Sequence, residues 1–74
     1  MLENYPNLQN YFKLNGFFVA YVNVSTLTDK LIIDLDSHES IKSTELIVLI
    51  NDFGLIQIRD EGTLRLLFDI NQIN

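Results

Sequence analysis

Apolar and polar positions follow two rhythms along this chain, and each predicts an element. From residue 56 to residue 70 the period is two. Ile56 and Ile58 alternate with Gln57 and Arg59, then Leu64, Leu66, Phe68 and Ile70 alternate with Arg65, Leu67 and Asp69. That is the pattern of two strands with one buried face each. Opposed residues of an antiparallel pair share a face, so the expected register sets Ile58 against Leu64 and Ile56 against Leu66. Asp60-Glu61-Gly62 is then a three-residue loop, with Gly62 in the left-handed position of a turn plus bulge. "KLIIDLD" (residues 30–36) repeats the rhythm, with Leu31, Ile33 and Leu35 inward and Ile32, Asp34 and Asp36 outward. Its expected partner is "FFVAYVNV" (residues 17–24), apolar on both faces and rich in β-branched and aromatic residues, as suits a central strand or one covered on both sides. A four-residue loop at 25–28 would place Val22 opposite Leu31 and Phe18 opposite Leu35.

Elsewhere the spacing is helical. In "YPNLQNYFKL" (residues 5–14) Pro6 stands near a helix start, Leu8, Tyr11 and Phe12 recur at helical intervals, and Asn15-Gly16 supplies a stop. Asn-Gly between apolar runs also fits a hairpin turn; Pro6 favours the short helix. The run Leu46-Ile47-Val48-Leu49-Ile50 admits two readings. As a helix from about Ser40, it places Leu46, Leu49, Ile50 and Phe53 on one stripe, with Gly54 as the left-handed cap and Asp36 or Ser37, with Glu39 following, as the N-terminal cap. As a strand, its β-branched content fits better, and Ile47 and Leu49 would face Ile58 and Ile56 across a loop at 51–54. A strand there would have two apolar faces to cover in a very short chain, whereas the helix leaves only Val48 awkwardly exposed. The expected fold is therefore α+β: two antiparallel β-hairpins, a central helix over about residues 40–53 packed on the sheet, and a short N-terminal helix. The alternative is an all-β meander or small barrel.

Composition narrows the function classes. Seventy-four residues make a single compact domain, residues 1–74, whose stability is marginal because a chain of this size buries only ~60% of its unfolded surface. Hydrophobic residues form 47% of it, enough for a core and too many for disorder. The lack of cysteine excludes disulfides and thiolate zinc sites and fits an intracellular protein. The N-terminus has neither the basic region nor the apolar segment of a signal peptide, and no apolar run approaches the ~20 residues that span a bilayer. A soluble, cytoplasmic protein without membrane association is expected. Ten acidic residues against five basic give a net charge of −5, and Lys13, Lys30, Lys42, Arg59 and Arg65 are scattered singly. Nucleic-acid binders cluster such residues against phosphates, so no direct nucleic-acid binding is expected; a basic protein partner is compatible with the charge.

Catalytic equipment is sparse. The densest polar constellation is "DLDSHE" (residues 34–39), where strand geometry would point Asp34, Asp36 and His38 the same way at a repeat of roughly 6.6 Å. Two carboxylates and an imidazole are able to hold a divalent metal, but no second histidine completes a set and the segment fails the EF-hand pattern, so it reads as a solvated strand face. Ser37 and Ser40 flank the single histidine too closely in sequence to form a triad. Gly16, Gly54 and Gly62 are far apart and form no phosphate-cradling loop. Neither catalytic residues, nor a metal site, nor a cofactor is expected.

The segment from Thr44 to Phe68 resembles the helix-plus-wing unit of winged-helix DNA-binding proteins, over a third of the chain and in an unspecific helix–Gly–hairpin pattern. The would-be recognition helix, however, carries no Lys or Arg beyond Lys42 at its edge, and strands precede it where that family has helices. The resemblance therefore does not displace the expectation drawn from charge.

Six of the eight aromatic residues (Tyr5, Tyr11, Phe12, Phe17, Phe18 and Tyr21) lie within the first 21 positions. Large rings dominate burial in small domains, but not all of these can be buried together, and surplus Tyr and Phe beside polar residues is the composition of an interface anchor. Tyr5, Tyr11, Phe17 and Tyr21 are the candidate partner-binding residues on that ground. Asp34, Asp36, Glu39, Asp60 and Glu61 are candidates for an acidic surface that mimics nucleic-acid charge against a basic cleft. The expected function is that of a non-enzymatic accessory or regulatory protein acting by protein–protein binding, with a phage or mobile-element inhibitor of a host protein suggested by size alone. The alternatives are a homo-oligomeric structural protein and a metal-dependent binding protein.

Overall fold

A computed structural model describes residues 1–36 and 40–74. The chain is α+β. A 3-10 turn at Leu2–Asn4 leads into helix α1 (Pro6–Leu14), followed by strands β1 (Val19–Ser25) and β2 (Lys30–Leu35), helix α2 (Ser43–Phe53), strands β3 (Leu55–Glu61) and β4 (Thr63–Asp69), and a last 3-10 turn at Ile70–Gln72. The two hairpins merge into one antiparallel sheet of order β1-β2-β4-β3. β4 is thus a central strand rather than half of a protruding wing.

Pro6 occupies the first turn of α1, where its missing N–H is no loss and its φ is already helical. The helix ends as Asn15-Gly16 predicts, with Gly16 at φ +73°. The amide of Phe17 donates to the Phe12 carbonyl at 2.9 Å and that of Gly16 to Lys13 at 3.4 Å, the paired bonds of a Schellman ending. The apolar contact that accompanies this ending is here the edge-to-face pair Phe12–Phe17, with ring centroids 5.7 Å apart. Phe17 is therefore a buried helix-stop residue rather than part of a strand, and β1 begins only at Val19.

Both hairpin registers differ from expectation by two residues. Val24 pairs with Leu31 and Val22 with Ile33, and Ser25–Lys30 closes a loop of Thr26 to Asp29. Asp29 takes a left-handed φ of +53°, and the Thr28 hydroxyl meets the Ser25 hydroxyl at 2.9 Å, so local turn chemistry selects a four-residue loop one position further along the chain. In the second hairpin Ile58 pairs with Leu66 and Asp60 with Leu64, centring the turn on Gly62 at φ +88°. A two-residue slip keeps side chains on their faces, so the predicted inside survives for Val22, Leu31, Ile33, Leu35, Leu66 and Phe68, but not for Phe18 and Ile56, which are 72% and 54% exposed. What the alternation did not reveal are two bulges, at Val19/Tyr21 and Leu55/Gln57. They bring Val19 rather than Phe18 opposite Leu35 and put Ile56 out of step with Leu66.

The core forms on one face of the sheet. Leu31, Ile33 and Leu35 of β2, Leu55 of β3, and Leu66 and Phe68 of β4 meet Leu8 and Phe12 of α1 and Leu49 and Phe53 of α2. Phe12 and Phe68 interlock at 6.4 Å, and Tyr11 leans on Phe53 at 5.4 Å, so the two helices touch each other as well as the sheet. α2 starts later than expected. Its first turn is closed by Glu45, whose carboxylate accepts from the Lys42 amide at 2.9 Å, and its N-cap is Lys42 rather than Asp36; the other expected capping residues, Ser37 and Glu39, lie outside the described residues. It ends at Gly54 in the left-handed conformation, φ +72°. The Gly54 carbonyl accepts from Asp69 N–H at 2.9 Å, while Ile70 N–H donates to the Asp29 carbonyl at 3.0 Å. These two bonds fasten the C-terminal turn across both ends of the fold. Among the described residues, no helix is long and apolar enough to cross a membrane.

Candidate functional site

The run of five apolar residues in α2 cannot all face the sheet, because successive helical residues turn by about 100° and five of them circle the axis. Leu49 and Phe53 are buried, and Leu46 and Val48 pack partly against the core. Ile47 and Ile50 are left outside. The expected stripe is therefore rotated: Val48 turns inward and Ile50 outward. Next to them, the bulge at Leu55/Gln57 turns Ile56 out of β3, and Ile58 lies on the rim of the same edge strand. Three of these exposed isoleucines, Ile50 (48%), Ile56 (54%) and Ile58 (38%), line one open groove of about 270 Å³ whose other walls are Leu46 of α2 and Leu55 and Gln57 of β3. Ile47, 57% exposed, lies on α2 outside its wall.

The opposite face of the sheet carries no helix among the described residues. By register it presents Tyr21, Asn23, Ile32, Asp34, Arg65, Leu67, Gln57 and Arg59. An ion pair is built into it. Arg65 Nε donates to Asp34 Oδ1 at 2.8 Å and its Nη2 to Oδ2 at 3.0 Å, the fork-to-fork geometry in which guanidinium–carboxylate pairs are strongest. Hydrogen bonding to Asp34, then its charge, raises the Arg65 pKa further. Arg59 stands directly across from Arg65, a like-charge pair that the Asp34 and Glu61 carboxylates offset.

The residues singled out in the sequence do not converge. Phe17 is buried against Phe12. Tyr5 and Tyr11 are half-buried and pack on the core, and Tyr11 is held there by Phe53. Tyr21 is 52% exposed, on the open face. Of the carboxylates, Asp34 is buried and committed to Arg65, Asp36 is exposed at the end of β2, and Asp60 and Glu61 lie together at the tip of the second hairpin on opposite faces. Glu39, Ser37 and His38 lie outside the described residues. Among the described residues no three His, Cys, Asp or Glu come close enough to hold a metal, and Asp34 has already spent its oxygens on a guanidinium. The isoleucine groove went unrecognised in the sequence, although its signal was present: an unbroken apolar run on a helix that has only one layer to cover it.

Comparison with protein-family models, with curated proteins and with solved structures finds no match to this chain.

Proposed function

We propose that this domain works by binding a protein chain in the groove between α2 and β3, and not by catalysis. One observation carries the reading: three exposed isoleucines, Ile50, Ile56 and Ile58, line a single recess. Isolated apolar residues on a surface are ordinary, but a contiguous apolar patch on so small a protein marks an interaction site. The composition agrees. From Leu46 to Asn51 and from Phe53 to Ile58 no residue is charged, and charge is depleted at the centres of protein interfaces. A small accessory, regulatory or inhibitory role is compatible with such a surface, since occupying a partner's apolar site takes contact rather than chemistry. The scattered carboxylates support acidic mimicry less well, as Asp34 is neutralised where it stands.

The test uses Ile50→Lys and Ile58→Lys. Both positions are exposed, so both variants should keep the far-UV circular dichroism and melting temperature of the parent. Tagged parent protein crosslinked in cells that express it should retain a protein chain, its own or another, that both variants lose. Folded variants that retain the same chains as the parent would end this reading.

A further inference from the structure

We propose that Asn15 is a self-modification site: its side chain cyclises onto the backbone nitrogen of Gly16 and reopens in water as aspartate or isoaspartate, which releases the stop of helix α1. No enzyme is required. Of the asparagines in this chain only Asn15 is followed by glycine, whose nitrogen is the least hindered because no Cβ stands beside it. The surroundings leave that nitrogen open. Asn15 and Gly16 are both exposed, and among the described residues nothing lies within 4 Å of the place a Gly16 Cβ would occupy.

The reaction balances with water as its one co-reactant. The Gly16 nitrogen, giving up its proton, bonds to Asn15 Cγ, and the side-chain nitrogen leaves as ammonia. The product is a five-membered imide. Water then adds to either of its carbonyl carbons and cleaves the bond from that carbon to the Gly16 nitrogen. Cleavage at Cγ leaves aspartate. Cleavage at the main-chain carbon leaves isoaspartate, in which the chain runs through the former side chain and is one carbon longer. The folded turn sets the rate of the first step. Asn15 stands at φ −100° and ψ 6°, which holds the Gly16 nitrogen beside Asn15's own nitrogen and away from its Cβ. Attack therefore waits on rotation about the Asn15 Cα–C bond. That rotation breaks the Gly16–Lys13 bond, at 3.4 Å the longest of this ending, and must also free the side-chain amide from the Tyr11 carbonyl, to which it donates at 2.8 Å. Helix ends are among the parts of a fold that open at least cost.

Once made, the product keeps the turn open. In the parent the Tyr11 carbonyl accepts from the Asn15 side chain at 2.8 Å and from its backbone N–H at 3.1 Å. A carboxylate has no proton to offer there, and it sets a negative charge at the helix end that already carries the negative pole. Lys13, the basic residue of that turn, is two positions back and does not face it. Isoaspartate adds a second fault, because its extra carbon carries Gly16 and Phe17 away from the carbonyls of Lys13 and Phe12. The Phe12–Phe17 pair, with ring centroids 5.7 Å apart, is what this ending holds in the core. Conversion of Asn15 thus loosens the junction of α1 with β1.

The test ages the full chain in warm, mildly alkaline buffer below its melting temperature and follows it by peptide mapping, with each change located to the residue by fragmentation. Asn15 should gain the mass difference between an amide and an acid before any other asparagine, as separable aspartyl and isoaspartyl forms. Conversion should be faster in urea, where the turn is open throughout. Asn15→Gln, whose ring would need six members and closes far more slowly, should lack the early change. Asn15→Asp reproduces the aspartyl product and should melt about 4–8 °C below the parent, the shift expected for one hydrogen bond in a domain this small. The aged parent, separated from its unaged fraction, should melt lower as well. Conversion that begins at another asparagine overturns the site. Aged protein and Asn15→Asp that both melt with the parent overturn the release of the helix stop.

Discussion

Replacing Gly54 by alanine should be far more damaging than the same change at Gly62, although both backbones are left-handed, at φ +72° and +88°. An L-residue in that region costs about 1–2 kcal/mol, partly offset by ~0.4–1 kcal/mol from a less flexible unfolded chain. At Gly62 nothing lies within 4 Å of an added Cβ, so the net loss should be about 1 kcal/mol. At Gly54 the new carbon would stand 2.4 Å from Gln72 Cβ, 3.2 Å from the Asp69 carbonyl oxygen and 3.3 Å from the Gln72 carbonyl carbon. Two of these are backbone atoms, so the C-terminal turn must lift. Lifting it breaks the Asp69–Gly54 hydrogen bond and frees the partly buried Ile70 and Ile73, about 1 kcal/mol for each of the three contacts. The expected loss is therefore about 4 kcal/mol, against a total stability of roughly 4–11 kcal/mol for a chain of this length. Urea unfolding followed by circular dichroism would measure it, and adding Gln72→Gly should recover at least ~1 kcal/mol by removing the worst overlap. Equal midpoints for Gly54→Ala and Gly62→Ala would refute the reasoning, since they would mean that nothing rests on Gly54.

The Asp34–Arg65 pair should give a coupling of about 1 kcal/mol in a double-alanine cycle read by urea unfolding, modest because the Arg65 side chain is 39% exposed. Arg59→Ala should be neutral or slightly stabilising in the same assay, since it removes the like charge opposite Arg65. Tyr11 gives a pH prediction. Burial first, then the charges of Glu45 and Asp52, hold its hydroxyl above the ordinary 10.0. The folded state then keeps a proton that the unfolded chain releases, so this contribution is whole below about pH 10 and is lost as pH rises through the folded value. Melting temperatures from about pH 9 to 11 should fall more steeply for the parent than for Tyr11→Phe, and ultraviolet titration should show one of the three tyrosines ionising late. Parallel slopes would remove the assignment.

The sequence made the inside of this fold legible and left its surface obscure. Leu31, Ile33, Leu35, Leu66 and Phe68 are buried as their alternation predicts, because a two-residue period admits only one inward set. The same period cannot distinguish registers two apart, so both hairpins close differently from expectation while keeping their faces. Bulges leave no trace in alternation, and the one at Leu55/Gln57 is what turns Ile56 outward. The helix at 43–53 follows from its apolar content, but which side faces the sheet depends on how α1 packs beside it. That is a property of tertiary structure, and it sent Val48 in and Ile50 out. The Asp34–Arg65 pair joins residues in different hairpins, beyond the reach of local pattern. Phe17 was readable in principle: Asn15-Gly16 as a helix stop places the next residue against Phe12.

The strand order has a consequence for how the chain comes together. Each hairpin closes over a short turn and needs no help from the other half of the sequence, whereas β2 meets β4 only when Leu35 finds Leu64 and Lys30 finds Asp69. Joining such distant segments is the entropically costly step in forming a sheet and dominates the time a small domain takes to fold. Folding should therefore wait on one seam, with the buried Leu31, Ile33, Leu66 and Phe68 forming its zip and the Asp34–Arg65 fork crossing it from the other face. Until that seam shuts, β2 and β4 are the raw edges of two half-sheets, and they are the strands most buried in the finished molecule. The groove on the finished surface is the lesser hazard for this chain; the greater is the interval before its two halves meet.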